Sequence, residues 1–418
     1  MTAERRKLLL LFASGIALYF FTNLQRTGVP GSLFNELQRD LALSASQVAM
    51  LGTFFVYIYT FNQLVAGVLT DRYGGTRTML FGSFFFCVGS LLFPLAGSLW
   101  TAYAARALVG FGASFMYLSM VKLAQRLFPS IFPQMVGMTL LLGYMGSITA
   151  NAPLMSLANA VGWRSALLLA GMITAVLLGV FILLRQSVPL PPVRDVPFSF
   201  RPFVEFAKRR HNRYMCIFSG SNFAFYFVLQ VIIGKKFLED FCTLSGANAA
   251  LAMSAMAMVA ASSGMLAALI SRAIGNRRRI FIRASCTYAV AAMAFILVCV
   301  LLEIRSPWLV VPVLIFGFTG NIGPITVALL SETNPPEKTG IAVSASNCAA
   351  YLGVSISGSC AGLLMDVAAP EKINGILVYG KWSYAAVFAF FLLVAAACAP
   401  MSFRIRETFG KNICGEVD

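Results

Sequence analysis

Two arginines stand inside apolar runs, where an ionisable side chain is expensive and is kept for a purpose. Arg26 closes the run Tyr19-Phe20-Phe21-Thr22-Asn23-Leu24-Gln25, and Arg106 lies in Ala104-Ala105-Arg106-Ala107-Leu108-Val109-Gly110-Phe111-Gly112. A guanidinium is planar and permanently charged, and its fork of donors fits a carboxylate or phosphate with two parallel bonds. Spacing puts Arg26 in the outer half of the first span, where it either meets an anion or snorkels to the interface. Arg106 either ligates an anion or braces helices through carbonyl bonds, and bracing or gating is the favoured reading of the two. Lys122, about 24 Å further along a helix that rises 1.5 Å per residue, reaches a span end and is expected to snorkel. The acids lie elsewhere: Glu36, Asp40, Glu239, Asp240, Glu303, Glu332 and Asp366 fall at span ends or in loops, and Asp71 lies in a turn.

Neutral polar side chains extend the chemistry. Asn222, Tyr226 and Gln230 recur at i, i+4 and i+8, so they share one helix face. Tyr57, Tyr144, Asn321, Asn347 and Tyr351 stand in other spans. Each one either touches a solute or makes an interhelical hydrogen bond. No metal or cofactor chemistry is readable: His211 is the single histidine, and the nine cysteines form no CxxC pair. No Gly-x-x-x-x-Gly-Lys-[Ser/Thr] loop occurs, which disfavours work driven by a nucleotide. Gly110-x-Gly112 inside a helix is packing, not a dinucleotide loop. Nothing points to an enzyme.

The elements that position these groups are transmembrane helices. The chain has 418 residues, 59% of them hydrophobic and 11% charged, and its mean hydropathy is +0.79. That much apolar surface marks an all-α integral membrane protein. Twelve stretches are long enough to span, at about 8–33, 47–69, 78–97, 101–123, 133–158, 163–184, 213–234, 246–270, 280–302, 307–330, 340–365 and 382–403. They form two six-helix halves, 1–184 and 213–418, joined by a proline-bearing basic linker over 185–212. About three-quarters of the 32 lysines and arginines fall on one side of the bilayer. That bias puts both termini in the cytoplasm and explains the net charge of +16 without nucleic acid. Arg5-Arg6-Lys7 before a full-length span reads as a retained first helix, not a cleaved leader. Gly143, Gly146 and the Ala150 to Pro153 segment predict close helix approach and a bend in the fifth span.

Between the second and third spans stands Gly67-Val68-Leu69-Thr70-Asp71-Arg72-Tyr73-Gly74-Gly75-Thr76-Arg77. Glycine permits a tight turn, and Asp71 is placed to pair with Arg72, Arg77 or a neighbouring helix terminus. Such a turn can latch helices in one state and release them in another. A worn copy, Ile270-Ser271-Arg272-Ala273-Ile274-Gly275-Asn276-Arg277-Arg278, follows the eighth span without the acid. The expected latch is therefore asymmetric, with a carboxylate in the first half alone.

The turn resembles the signature of the major facilitator superfamily through Gly67, Asp71, Arg72, Gly74 and Arg77. Arg106 with Gly110-x-Gly112 resembles the fourth-helix motif of that family. Arg26 is similar to the first-helix arginine of its anion:cation symporter and organophosphate transporter branches. The resemblance implies two six-helix bundles around a central cavity, alternating access, Asp71, Arg72, Gly74 and Arg77 in gating, and an anionic substrate at Arg26. It favours helices 7 and 10, hence Tyr226 and Asn321, as cavity-lining. Without a mid-span acid or histidine as relay, coupling is expected by exchange or by a proton that rides on substrate or a near-edge acid.

The expectation is therefore a monomeric secondary transporter in the bacterial inner membrane, taking up a small organic anion (carboxylate, sugar acid or phosphate ester). Its partners would be substrate, bilayer and a coupling proton or counter-anion, with no cofactor. Uptake of an amino acid or neutral solute, drug or metabolite efflux, and a transporter-like sensor remain the rivals. The fifth span lacks the Gly-Pro-rich motif of drug:proton antiporters, which lowers the efflux reading.

Overall fold

The computed structural model describes residues 3–186, 201–320, 322–335, 338–373 and 375–415. In hydrocarbon every backbone N–H and C=O must be satisfied internally, and helix does this within one segment. The first half holds α1 (Ala3–Gly28), α2 (Phe34–Leu41), α3 (Ala45–Tyr73), α4 (Gly75–Leu92), α5 (Leu99–Leu127), α6 (Phe132–Thr149), α7 (Ala152–Val161) and α8 (Trp163–Arg185). The second holds α9 (Arg201–Lys208), α10 (Arg210–Val228), α11 (Gly234–Asp240), α12 (Gly246–Ala273) and α13 (Arg279–Leu301). It continues with α14 (Val310–Gly320), α15 (Gly323–Thr333), α16 (Thr339–Met365) and α17 (Lys381–Ser402). A small hairpin, β1 (Glu371–Ile373) antiparallel to β2 (Ile376–Val378), precedes α17.

Among the described residues ten helices are long and apolar enough to cross a membrane. The pair Ala45–Gln63 and Val65–Tyr73, bent by 49°, makes an eleventh. The fifth expected span is broken: α6 stops at Thr149, and the 10-residue α7 restarts at Ala152, next to Pro153. Its expected close approach is present, since a Cβ on Gly143 or Gly146 would run into Tyr19 or the Phe20 carbonyl of α1. Part of the expected linker is already helical. Arg201–Lys208 forms α9 and α10 begins at Arg210, while residues 187–200 lie outside the described set.

Contacts divide the chain into two compact units, Met1–Leu43 with Phe54–Phe198, and Ser44–Thr53 with Ser199–Asp418. Within the first, Asp40 accepts from the Trp163 indole at 3.0 Å and from Arg164 at 2.9 Å, fixing α2 to α8. Within the second, α10 and α16 meet backbone to backbone: a Cβ on Gly353 would strike the Gly220 carbonyl. There too the Asp366 carboxylate accepts from the backbone N–H groups of Ala45 (3.0 Å) and Ser46 (2.9 Å). It caps the start of α3, where orphan donors and the positive end of the helix dipole favour an anion.

The C-terminal end of the seventh span runs further than expected and carries its charges at the span end. Leu229–Ile233 is a π-helical turn, and the helical run continues unbroken to Asp240. Lys235, Lys236 and Asp240 are buried, and the ammonium of Lys236 meets Asp240 at 2.8 Å. The Tyr379 N–H and the Tyr384 hydroxyl each donate to the same carboxylate at 2.9 Å. Lys235 pairs likewise with Glu239 at 3.0 Å. Acid and base four residues apart neutralise each other on one helix face, so these four charges need no loop.

Candidate functional site

In the first unit α1 ends in a polar turn. Thr22, Asn23, Gln25 and Thr27 are buried and Arg26 is half-buried. Arg26 Nη2 donates to Asn23 Oδ1 at 2.6 Å, while Asn23 Nδ2 donates back to the Tyr19 carbonyl at 2.9 Å. The guanidinium is thus aimed by a residue one turn earlier. Gln25 is 1% exposed, and neither end of its amide has a hydrogen-bond partner among the described residues. A buried amide left so costs about 1–3 kcal/mol per group, which marks a place that a solute or water can fill. Gln25 was not among the expected site residues. Its signal was present: a run of polar side chains in the last turn of an apolar helix.

Arg106 is fully buried. Its Nη1 donates to the Gln25 carbonyl at 3.1 Å and its Nη2 to the Val29 carbonyl at 3.0 Å. Its guanidinium lies 4.8 Å from the Phe55 ring centre and 5.8 Å from that of Phe93. Carbonyls at a helix C-terminus lack intrahelical donors and carry the negative end of the dipole, so Arg106 closes the end of α1. Tyr57 on α3 and Tyr144 on α6 are half-buried in the same unit.

In the second unit Asn222, Tyr226 and Gln230 are buried together along the seventh span. Asn222 Nδ2 donates to the Thr319 carbonyl at 2.6 Å and Gln230 Nε2 to the Met253 carbonyl at 3.1 Å. Two of the three therefore tie this span to α14 and α12. Thr319 stands at the break between α14 and α15, and its carbonyl also takes the Ser285 hydroxyl at 3.4 Å. Asn222 Oδ1 and Thr319 Oγ1 are buried without hydrogen-bond partners among the described residues. Asn321, expected to join them, lies outside the described residues. On α16, Tyr351 packs edge-on to Phe223 with centroids 5.4 Å apart, and Asn347 is half-buried one turn earlier.

The charged turn also draws a partner from outside itself. Asp71 Oδ1 lies 2.6 Å from Lys122 Nζ on α5, each side chain about half exposed. Arg77 donates to the Tyr73 carbonyl at 3.4 Å, and Arg72 lies over the Tyr73 ring at 5.6 Å. Gly74 makes the reversal at φ 81°, a left-handed conformation that penalises any Cβ. α4 and α5 pack closely enough to bring Lys122 alongside, which sequence distance concealed.

The second turn is not without acid. Arg278 pairs with Glu332 at 3.2 Å and also donates to Ser271 Oγ at 2.9 Å. Glu407, beyond α17, accepts from the N–H groups of Arg278 (2.7 Å) and Arg279 (3.0 Å) and so caps α13. The missing motif carboxylate is replaced by two from other parts of the chain, which corrects the one-sided latch. A cavity of about 580 Å³ beside α13 and α17 is lined by Leu297, Leu301, Val367, Ala385, Trp382 and three other alanines. With no ionisable lining it has no means of holding a charged solute.

The family described as Major Facilitator Superfamily matches residues 15–358. The chain is similar to the uncharacterized MFS-type transporter YdgK of Bacillus subtilis, 37% identical over 19% of this chain and 20% of that protein. It is also similar to the probable anion transporter 4, chloroplastic, of Arabidopsis thaliana, 30% identical over 31% of this chain and 24% of that one. The matched stretches thus cover at most about a quarter of these relatives' lengths. Among solved structures, a bacterial homolog of the human lysosomal transporter Spinster superposes with a TM-score of 0.73 at 15% identity, covering 97% and 98% of the two chains. The nucleoside transporter NupG gives 0.73 at 13% identity, covering 94% and 99%.

Proposed function

The chain belongs to the major facilitator superfamily, as a membrane transporter and not an enzyme, and on that premise we propose that it takes up a small organic anion. The substrate class is a carboxylate, sugar acid or phosphate ester, moved by alternating access through symport or exchange. The observation that carries this reading is Arg26, a half-buried guanidinium in the last turn of α1, aimed by Asn23 at 2.6 Å. Arg106 is occupied in closing α1, so the anchoring role falls to Arg26. Similarity to a probable anion transporter supports the same class. Counting the bent α3 and the broken α6–α7 as one span each gives twelve, six in 1–184 and six in 213–418. The basic residues favour a bacterial inner membrane with both termini cytoplasmic.

Uptake into proteoliposomes from a panel of organic anions tests the proposal. Arg26→Gln is expected to reduce anion uptake and binding at least tenfold, since a bidentate charged contact is lost. Undiminished anion binding by that variant refutes the anchor. A second reading, a neutral or zwitterionic hydroxylated solute, is favoured by the unpartnered Asn222 Oδ1 and Thr319 Oγ1. Uptake of uncharged solutes but not of anions would establish it.

A further inference from the structure

We propose that one end of the second unit carries a binding site for the phosphodiester headgroup of an anionic phospholipid, built by Arg283, Arg404, Phe403 and Tyr214. Arg283, in the second turn of α13, lies 4.8 Å from the centre of the Phe403 ring just past α17. The next residue, Arg404, turns the other way, donating to the Tyr214 hydroxyl at 3.1 Å with its guanidinium 5.9 Å from that ring centre. Arg210 and Arg213, in the first turn of α10, stand four residues and one residue before Tyr214, and their charge reaches its hydroxyl. Arg404 thus sits on Tyr214 with Arg210 and Arg213 near it in sequence, and Arg283 sits on Phe403, the residue before Arg404.

None of the four is paired with a carboxylate among the described residues. The contrast with Arg278, a few residues away and matched to Glu332, shows that the fold supplies acids where it uses them. Arg210, Arg213 and Arg404 are exposed, and Arg283 has a buried Nε without a hydrogen-bond partner. Concentrated, uncompensated positive charge on exposed forks calls for an anion with several acceptor oxygens. Stacking on Phe403 and Tyr214 holds two of the planar groups in register beforehand.

The surroundings decide which anion. Ile280, Ala284, Thr287, Ala291, Phe295 and Val298 are exposed at helical spacing, a stripe down the length of α13 with no charged residue in it. In a membrane-spanning helix such a stripe faces acyl chains. It leads away from Arg283, so a lipid lying along it places its phosphate at the arginines. Phe403 is 56% exposed, suiting an aromatic at headgroup depth. A free phosphate would use the arginines and ignore the stripe.

The test uses the full-length chain purified in neutral detergent, with bound lipid counted by native mass spectrometry after incubation with phosphatidylglycerol or phosphatidylcholine. Preferential retention of phosphatidylglycerol is expected, weakened about fivefold for each arginine neutralised in Arg283→Gln and Arg404→Gln. Phe403→Leu, which leaves the charge intact, is expected to weaken it about two- to threefold through lost stacking. Arg272→Gln and Lys411→Gln, exposed residues elsewhere on the unit, are expected to retain lipid like the parent. Equal retention of the two lipids by the parent chain overturns the proposal, whether or not any variant folds. So does an equal loss in the control variants, which would mean diffuse positive charge. Stabilisation by inorganic phosphate with no response to phosphatidylglycerol also overturns it, assigning the arginines to a soluble anion.

Discussion

Replacing Arg106 by Met separates a brace from a ligand. Met approximates the volume of the side chain but donates nothing, leaving the Gln25 and Val29 carbonyls without the bonds seen at 3.1 and 3.0 Å. Each buried acceptor so orphaned costs about 1–3 kcal/mol, and each lost guanidinium–ring contact about 0.5–2 kcal/mol. Removing a fully buried charge returns part of its desolvation cost. The net is a loss of about 2–4 kcal/mol. At roughly 2–4 °C per kcal/mol for a unit of this size, the melting midpoint of detergent-purified protein should fall by about 4–16 °C. Arg106→Lys keeps the charge but cannot bridge both carbonyls, so about half the loss is expected. If Arg106→Met melts within about 1 °C of the parent while anion affinity drops tenfold, the bracing argument is wrong and Arg106 is a ligand.

Three further outcomes follow from the carboxylates of Asp71, Glu407 and Glu205. Asp71→Asn should change stability by less than about 1 kcal/mol, because the Lys122 pair is half exposed. It should nonetheless lower maximal uptake with little change in apparent substrate affinity, and the exchange Asp71→Lys with Lys122→Asp should restore part of the rate. Glu407→Ala should raise amide hydrogen exchange at Arg278 and Arg279 and open the segment after α17 to protease, at a cost of about 1–2 kcal/mol for a lost helix cap. Glu205, on α9, has its pKa lowered mainly by the hydrogen bond and charge of Lys338. A depressed carboxyl contributes above its unfolded pKa and loses that contribution as pH falls through the folded value. The α9 tie should therefore persist at neutral pH and loosen only below the usual carboxylate range, and Lys338→Gln should move the loosening to higher pH, read by proteolysis of the Arg201–Lys208 segment.

Much of the fold was written in short-range features. Apolar runs located the helices, Pro153 with its small neighbours located the break before α7, and Gly143 and Gly146 located the approach to α1. Partnerships across the fold were not written there. Lys122 finds Asp71, and Glu332 and Glu407 find Arg278, through packing of helices far apart in sequence. No local rule encodes that distance. The buried charges of α11 were legible in principle, since Lys235 with Glu239 and Lys236 with Asp240 keep the four-residue spacing of a helical ion pair. Hydropathy alone ends the span at residue 234, several residues short of where the helix stops. At the end of α1, the residue type of Arg26 indicated the chemistry, while the buried, unpartnered amide of Gln25 emerges only from the packing of the described residues.

The cluster around Asp240 sets an order of events during synthesis. Tyr379 and Tyr384, which complete the hydrogen bonding of that carboxylate, are made about 140 residues after it. Until the last span emerges, the nascent seventh span holds Lys235, Lys236, Glu239 and Asp240 with no covering hairpin, and a bilayer rejects charges so exposed. Its C-terminal end must wait at the water interface and settle inward late. A chain truncated before Tyr379 should leave that end reachable by membrane-impermeant reagents, and the complete chain should not. The final helix then serves as the closing step of assembly for a segment inserted long before it.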